Sequence, residues 1–283
     1  MRIGIIGGGK VGCCLAGYLK AKNMLVGITG STSLHSKELA ERFQLEPVSN
    51  LELISKADIL LLTVPDRLVE QVAESIAVEA VEGKIVLHVS GSLGLEPLAA
   101  LAEKGAHVGS MHPLQSFAAN ISTELKGVYM AIDGDPQGQE AAKGLALELG
   151  GNPFYVPAEE RAAYHAAACI CSNYAVTVEA LAQGLMARWT GSAEAGWNAL
   201  KPLFRGTADN LMRTQDPGSV LTGPIGRGDT NTVLKHLQVM PEELKQIYCV
   251  LGAATVEVAL KNRNINRETA ARFAEIWQQQ EDR

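Results

Sequence analysis

The chain opens with MRIGIIGGGKVGCCLAGYLKA, Met1 to Ala21. Ile3, Ile5 and Ile6 form a short, β-rich apolar run that stops at a cluster of glycines. Gly7, Gly9 and Gly12 fall in the spacing G-x-G-x-x-G, with Lys10 and Val11 inside it, and Leu15, Ala16 and Leu19 continue at helical spacing. A strand, a tight turn and a helix N-terminus in that order make a dinucleotide cradle. Gly7 permits the turn, Gly9 lets the backbone approach a pyrophosphate, and Gly12 lets helix and strand pack closely. The free N–H groups of the first helical turn, with the helix dipole, favour phosphate charge. A glycine triplet alone says little; one that follows a strand and opens a helix makes Gly7, Gly9, Lys10, Val11 and Gly12 the expected cofactor contacts.

The next strand, Leu25–Thr29, tests which dinucleotide is meant. A fold that prefers NAD places Asp or Glu at the end of this strand to bind the ribose 2′-hydroxyl. Here Thr29 and Gly30 are followed by Ser31, Thr32 and Ser33, with His35 and Lys37 close behind. Hydroxyls and backbone N–H groups suit a 2′-phosphate, and no carboxylate repels it. The expectation is NADP (NADPH) over NAD, although the usual Arg is missing.

Beyond this, strands and helices alternate. Gly30–Leu34 reads as a loop and Ser36–Phe43 as a helix. Asp58–Val64 is continuously apolar, as a strand buried on both faces of a parallel sheet should be. Pro65 and Asp66 end it and cap a predicted helix Arg67–Val81. Lys84–Val89, Ala106–Met111, Val128–Ile132 and Pro153–Val156 are further strands, with a helix over Pro136–Leu149. Loops at the carboxyl ends of strands line the ligand crevice of such a sheet. Three of them carry Thr63-Val64-Pro65-Asp66, Ser90-Gly91-Ser92 and His112-Pro113, so Val64, Pro65 and Ser90 join the cofactor candidates.

After Pro157 strand-like runs stop and alanine-rich helical patterning takes over. Ala158–Trp189 reads as one long helix, followed by helices Trp197–Arg213, Pro241–Lys261 and Arg267–Gln280, with Thr214–Asp229 irregular. The fold class is therefore α/β: a Rossmann-type, doubly wound, mostly parallel sheet followed by an all-α domain. The expected domains are residues 1–156, binding NADP, and 157–283, helical, for substrate and dimerisation.

The 283 residues carry a net charge of −6 and no basic run, which argues against nucleic acid or an anionic membrane as partner. The longest apolar stretch, Tyr164–Leu185, contains His165, Asn173 and Glu179, so no membrane span is expected. No signal peptide fits a chain whose first strand begins at Arg2. Cys13, Cys14, Cys169, Cys171 and Cys249 are odd in number and lack C-x-x-C spacing, which reads as reduced thiols without a metal site in a cytoplasmic protein.

Five features match together: the opening glycine turn, Thr63-Val64-Pro65-Asp66, His112-Pro113-Leu114-Gln115-Ser116-Phe117, Tyr164-His165-Ala166-Ala167-Ala168 with Ser172-Asn173-Tyr174, and Leu221 to Asp229 (LTGPIGRGD). On these the chain resembles the Rossmann-like oxidoreductases whose C-terminal half is catalogued as domain of unknown function 2520. The resemblance spans essentially the whole chain. It implies a helical domain similar to that of 6-phosphogluconate dehydrogenase, and a more distant likeness to ketopantoate, pyrroline-5-carboxylate and prephenate enzymes. It also implies a two-fold dimer through the helical domain, and a small 2-oxo acid such as ketopantoate as substrate.

A hydride moved to a carbonyl leaves an alkoxide that needs a proton donor within hydrogen-bond reach. His112 ends a strand on the cofactor side, in a pattern that resembles the Gly-x-His-Pro of prephenate dehydrogenases. His165 lies early in the long helix, where Cys169, Ser172 and Asn173 share its face at helical spacing. Related dehydrogenases carry a Lys four residues before the Asn; here that position is Cys169. His112, His165 and Asn173 are therefore the catalytic candidates. Ser172, Arg227 and Asp229 are the substrate-binding ones, Arg227 because a guanidinium grips a carboxylate bidentately. Two other readings share these residues: a cyclic imine reductase of the pyrroline-5-carboxylate type, and a non-catalytic NADP-sensing regulator that needs only the glycine turn.

Overall fold

The computed structural model describes residues 1–78, 80–118 and 123–281. The chain divides into two compact units, Met1–Ala175 and Val176–Arg283. The division falls inside the helical stretch, so residues 157–175 group with the sheet, past the boundary expected at 156/157.

The first unit is built on a seven-stranded sheet. Its strands are β1 (Ile3–Ile6), β2 (Leu25–Thr29), β3 (Ile59–Leu62), β4 (Ile85–His88), β5 (His107–Pro113), β6 (Tyr129–Gly134) and β7 (Asn152–Tyr155), in the spatial order β2-β1-β3-β4-β5-β6-β7. The first five are parallel; β6 runs antiparallel to β5 and β7 parallel to β6. The chain leaves β1 for β2 on one side and returns to β3 on the other. The carboxyl ends of β1 and β3 are thus a topological switch point, where open α/β sheets bind ligands. The glycine turn sits there.

Continuous apolar runs are explained by burial on both sheet faces. Ile3, Ile5, Leu61, Leu87 and Met111 pack into one apolar cluster, and Ile6, Leu60, Leu62, Val86 and Val108 into another. Adjacent strand residues point to opposite faces, so neighbours such as Leu60 and Leu61 end in different cores. The covering helices are α1 (Lys10–Ala21), α2 (Ser33–Arg42), α3 (Asn50–Lys56), α4 (Val69–Ile76), α5 (Ala99–Glu103) and α6 (Pro136–Glu148). Helix α3 is absent from the sequence reading, yet Ser49 and Glu52 form a full capping box. The helix predicted over Arg67–Val81, which includes residue 79 outside the described residues, is shorter. A 3₁₀ turn, Asp66–Leu68, precedes α4.

The predicted single helix Ala158–Trp189 is divided. After a 3₁₀ turn come α7 (Arg161–Cys169), a π turn at Ile170–Tyr174, and α8 (Ala175–Thr190). In the second unit α9 (Ala193–Met212), α10 (Gly223–Gly226), α11 (Thr230–Val239), α12 (Glu242–Lys261) and α13 (Arg267–Glu281) complete the chain. The sequence reading has no helix over Thr230–Val239. Its core joins Ile225, Val233, Leu237, Val256, Phe273, Ile276 and Trp277, from α10 to α13. Gly196 of α9 lies against the backbone of α8 near Gln183 and Ala187, a close helix contact that a side chain would prevent. No residue of α8 is buried. No described helix is long and apolar enough to cross a membrane.

Candidate active site and cofactor cradle

The glycine turn separates into positions the protein explains and one it does not. Gly7 has φ +124, a left-handed conformation that favours glycine. A Cβ at Gly12 would lie 2.0 Å from the Gly7 carbonyl oxygen and 2.5 Å from Thr63 Oγ1, so only glycine fits. Thr63 donates its hydroxyl to the Gly7 carbonyl at 2.7 Å, locking the turn to the end of β3. Gly9 differs. It is the N-cap of α1 with an ordinary extended backbone (φ −72, ψ −173), and a Cβ there would meet only Thr63 O, at 4.0 Å. No side chain caps α1, and its first internal bond is Cys13 N–H to Gly9 O, which leaves the N–H groups of Lys10, Val11 and Gly12 to an outside acceptor. A bare backbone, open space and unpaired N–H groups at a helix N-terminus fit a pyrophosphate.

Beyond β2 lies a cavity of about 420 Å³, lined among others by Ser31, Thr32, Ser33, Ser36, Lys37 and Asn50, with no carboxylate. The structure starts α2 at Ser33, earlier than expected, with Thr32 as its N-cap accepting from His35 N–H at 3.1 Å. Ser31 and Ser33 are exposed, and their hydroxyls have no hydrogen-bond partner among the described residues. A helix N-terminus, two free hydroxyls and Lys37 form an anion site suited to a 2′-phosphate. Val64 is half-buried and Pro65 exposed at the carboxyl end of β3.

Ser90 serves the loop itself. Its oxygen accepts from Ser92 N–H and Leu93 N–H, both at 3.2 Å, and its proton goes to Asp66 Oδ2 at 2.8 Å. Asp66 therefore joins two loops where the sequence reading had it capping a helix, and Ser90 is committed before any cofactor arrives. Beneath them His88 is fully buried. Its Nδ1 accepts from Ser90 N–H at 3.2 Å and its Nε2 donates to Gly94 O at 2.8 Å, the arrangement of a neutral imidazole. Burial pushes His88 down to about 4.

His112 and His165, predicted as catalytic, meet at Gly91. Their ring centroids are 6.1 Å apart, and a Cβ on Gly91 would come within 2.7 Å of His165 Cδ2 and 2.8 Å of His112 Nε2. Gly91 is glycine because two imidazoles occupy that space. His112 Nδ1 lies 2.7 Å from the Tyr164 hydroxyl. Burial, aided by His165 and Arg161, pushes His112 down to about 4, so it is an imidazole at neutral pH. Burial pushes the Tyr164 phenol up to about 12. His165 Nδ1 lies 3.8 Å from Cys169 Sγ, the i, i+4 contact expected of α7. The π turn then interrupts the expected stripe. Its i→i+5 closure widens the helix after Cys169, leaving Ser172 half-buried and Asn173 exposed.

Arg227 and Asp229 lie in the second unit. The Asp229 carboxylate caps α11, accepting from Thr232 N–H at 3.0 Å and its hydroxyl at 2.6 Å, which also holds the carboxyl below its ordinary value. Arg227 is exposed and forms no ion pair among the described residues. Tyr164, Arg161 and Gly91 were not among the candidates. Their signal was adjacency: Tyr164 precedes His165, Arg161 stands one turn earlier, and Gly91 lies between two serines after a strand.

Comparison with known proteins agrees with this architecture. Residues 1–113 match the Rossmann-like domain, and residues 128–255 match the domain of unknown function DUF2520. No curated protein matches the sequence. Among solved structures, the chain is similar to BF3122 of Bacteroides fragilis, assigned as an NADP oxidoreductase (22% identity, TM-score 0.72, covering 90% of this chain and 98% of that one). It is also similar to protein TM1727 of Thermotoga maritima (25% identity, TM-score 0.69, 92% and 99% covered). A third is the pyrroline carboxylate reductase of Plasmodium falciparum with NADP bound (14% identity, TM-score 0.58, 96% and 97% covered). The chain is a Rossmann-like domain joined to a DUF2520 domain.

Proposed function

We propose that this protein is an NADPH-dependent oxidoreductase that reduces a small carboxylate-bearing carbonyl compound, a 2-oxo acid such as ketopantoate in first place. The observation that carries the reading is the meeting of His112 and His165 at Gly91. Gly91 follows the end of β4 and His112 is the penultimate residue of β5, at the carboxyl ends of the parallel strands, the sheet edge that carries the glycine turn. Gly7, Gly9, Lys10, Val11 and Gly12 hold the pyrophosphate, and Ser31, Ser33 and Lys37 the 2′-phosphate. The nicotinamide, when bound, supplies hydride. The protein must then supply a hydrogen-bond donor and a proton where negative charge develops. Neutral His112 offers an N–H, and His165 a second imidazole beside it. Arg227, exposed and forming no ion pair among the described residues, is the proposed anchor for the substrate carboxylate.

The likeness to a pyrroline carboxylate reductase favours a second reading, hydride transfer to a cyclic imine. The same imidazoles would serve it, with nitrogen taking the proton. A regulator that only senses NADP would need neither histidine. We also infer a homodimer through the helical domain, because α8 buries none of its own apolar residues.

Steady-state kinetics separate these readings. Wild type is assayed for NADPH oxidation with 2-oxo acids, ketopantoate first, and with cyclic imines. His112→Gln should lower kcat by about 10²–10⁴-fold with NADPH affinity unchanged. Arg227→Ala should raise KM instead. Turnover of imines alone would favour the second reading, and no turnover at all would leave the sensor.

A further inference from the structure

Tyr164 and Arg161 bind α7 to β5 through two side-chain bridges. Ser110 and His112 alternate along β5 and so share a sheet face, while Arg161 and Tyr164 are one turn apart on α7. The buried Arg161 guanidinium donates to the Ser110 hydroxyl, and the Tyr164 hydroxyl meets His112 Nδ1 at 2.7 Å. The phenol is held on both sides, edge-on to His112 at 5.6 Å and to Phe154 at 5.8 Å between ring centroids. Arg161 is 1% exposed, and its Nε and Nη1 have no hydrogen-bond partner among the described residues. Its charge, opposed mainly by Asp133, stays unneutralised by any ion pair there.

A fixed cation in that position disfavours a protonated His112 and favours negative charge on the Tyr164 oxygen. The edge of His112 that carries Nε2 lies against Gly91. We propose that Tyr164 is a positioning residue that donates to His112 Nδ1, holds the imidazole as its Nε2–H tautomer, and replenishes the proton that Nε2 gives away. This rests on the reductase reading. As a carbonyl oxygen gains the electron pair displaced by hydride, the Nε2–H bond breaks toward that oxygen. The Tyr164 O–H bond breaks toward Nδ1, leaving a neutral imidazole and a tyrosinate stabilised by Arg161. A solvent proton then arrives at Nε2 and the Nδ1 proton returns to Tyr164, which restores the starting state.

The charges that face His112 agree with this division of labour. Burial is the main cause that keeps the ring neutral near pH 7; His165, Arg161 and His88 also oppose its protonation, and Asp66 favours it. Tyr164 is neutral as well, raised by burial and only partly offset by Arg161. In the transfer to substrate the ring passes from one neutral tautomer to the other, so that step forms no imidazolium.

The test is nitrogen NMR of the histidine rings in the cofactor-free protein, wild type against Tyr164→Phe, at neutral pH. Phenylalanine keeps the ring packing and removes only the hydroxyl. Wild-type His112 should be the Nε2–H tautomer, and the variant a mixture of tautomers. With a responsive carbonyl substrate, kcat of the variant should fall roughly 10²-fold while KM and NADPH affinity hold. A wild-type Nδ1–H tautomer, or an unchanged tautomer in Tyr164→Phe, overturns the proposal. Should the variant fail to fold, the wild-type spectrum decides alone. A tautomer lost in the variant without turnover of any 2-oxo acid or imine would sink the reductase reading and leave the Tyr164 assignment standing.

Discussion

Asp66 Oδ2 accepts the Ser90 hydroxyl at 2.8 Å, and this bond ties the loop after β3 to the loop after β4. The same oxygen takes the Ser92 hydroxyl at 3.0 Å. The loop that presents Gly91 to the two imidazoles is thus held by one carboxylate. Asp66→Ala should cost about 1–2 kcal/mol, since two bonds to a charged but solvent-exposed group are lost. Urea unfolding measures it, and an unchanged midpoint would show the loops to be independent.

Gly9 and Gly12 should respond in opposite ways to one added methyl group. Gly12→Ala drives a Cβ into the Gly7 carbonyl and should destabilise the fold by about 1–3 kcal/mol or more. Gly9→Ala meets only open space and should leave stability within about 0.5 kcal/mol of wild type, while NADPH affinity falls. Thermal melts and calorimetry on the two variants check this. Equal NADPH affinity in Gly9→Ala would mean that no phosphate approaches that backbone.

Acid should weaken the protein through His88. The folded state holds this fully buried imidazole neutral down to about 4, whereas the unfolded chain protonates it near its ordinary value of 6.5. Between those limits the unfolded state binds more protons, so stability falls as pH drops from about 6.5 toward 4 and changes little above that window. The loss from this residue is up to about 3 kcal/mol. Denaturation at a series of pH values should show the slope, and His88→Gln should reduce it to the share left by His112, which is also held down to about 4. An equal slope in the variant would place the acid sensitivity elsewhere.

The chain should be a dimer. Val176 and Trp189 of α8 are each 70% exposed and Val250 of α12 is 64% exposed. Val178, Leu181 and Leu185 of α8, with Ile247, Tyr248 and Leu251 of α12, line an apolar cavity of about 500 Å³. Contiguous apolar surface of this kind marks an interaction site, and a symmetric pair is the commonest assembly. Light scattering should report twice the 30.1 kDa chain mass. A monomer at micromolar concentration would refute it.

Much of this architecture was legible in the chain because local chemistry agreed with tertiary need. Ile3 to Gly12 read correctly as strand, turn and helix, and Leu25–Thr29 is a strand at those very residues. What escaped depended on partners distant in sequence. The antiparallel course of β6 is set by pairing with β5, which no local pattern of Tyr129–Gly134 announces. The π turn hid inside an unbroken alanine-rich pattern, since helical spacing cannot reveal one widened turn. The capping role of Asp229 escaped because its partner, Thr232, opens a helix the sequence reading lacked. His112 and His165 were singled out separately, but Tyr164 and Arg161 acquire meaning only when β5 and α7 are brought together.

A crystal structure with NADPH bound tests the central claim most directly. The account predicts pyrophosphate oxygens on the N–H groups of Lys10 and Val11, the 2′-phosphate among Ser31, Ser33 and Lys37, and the nicotinamide C4 facing the His112 and His165 imidazoles at Gly91. A cofactor whose 2′-phosphate lies away from Lys37, or whose nicotinamide lies away from both imidazoles, would contradict it.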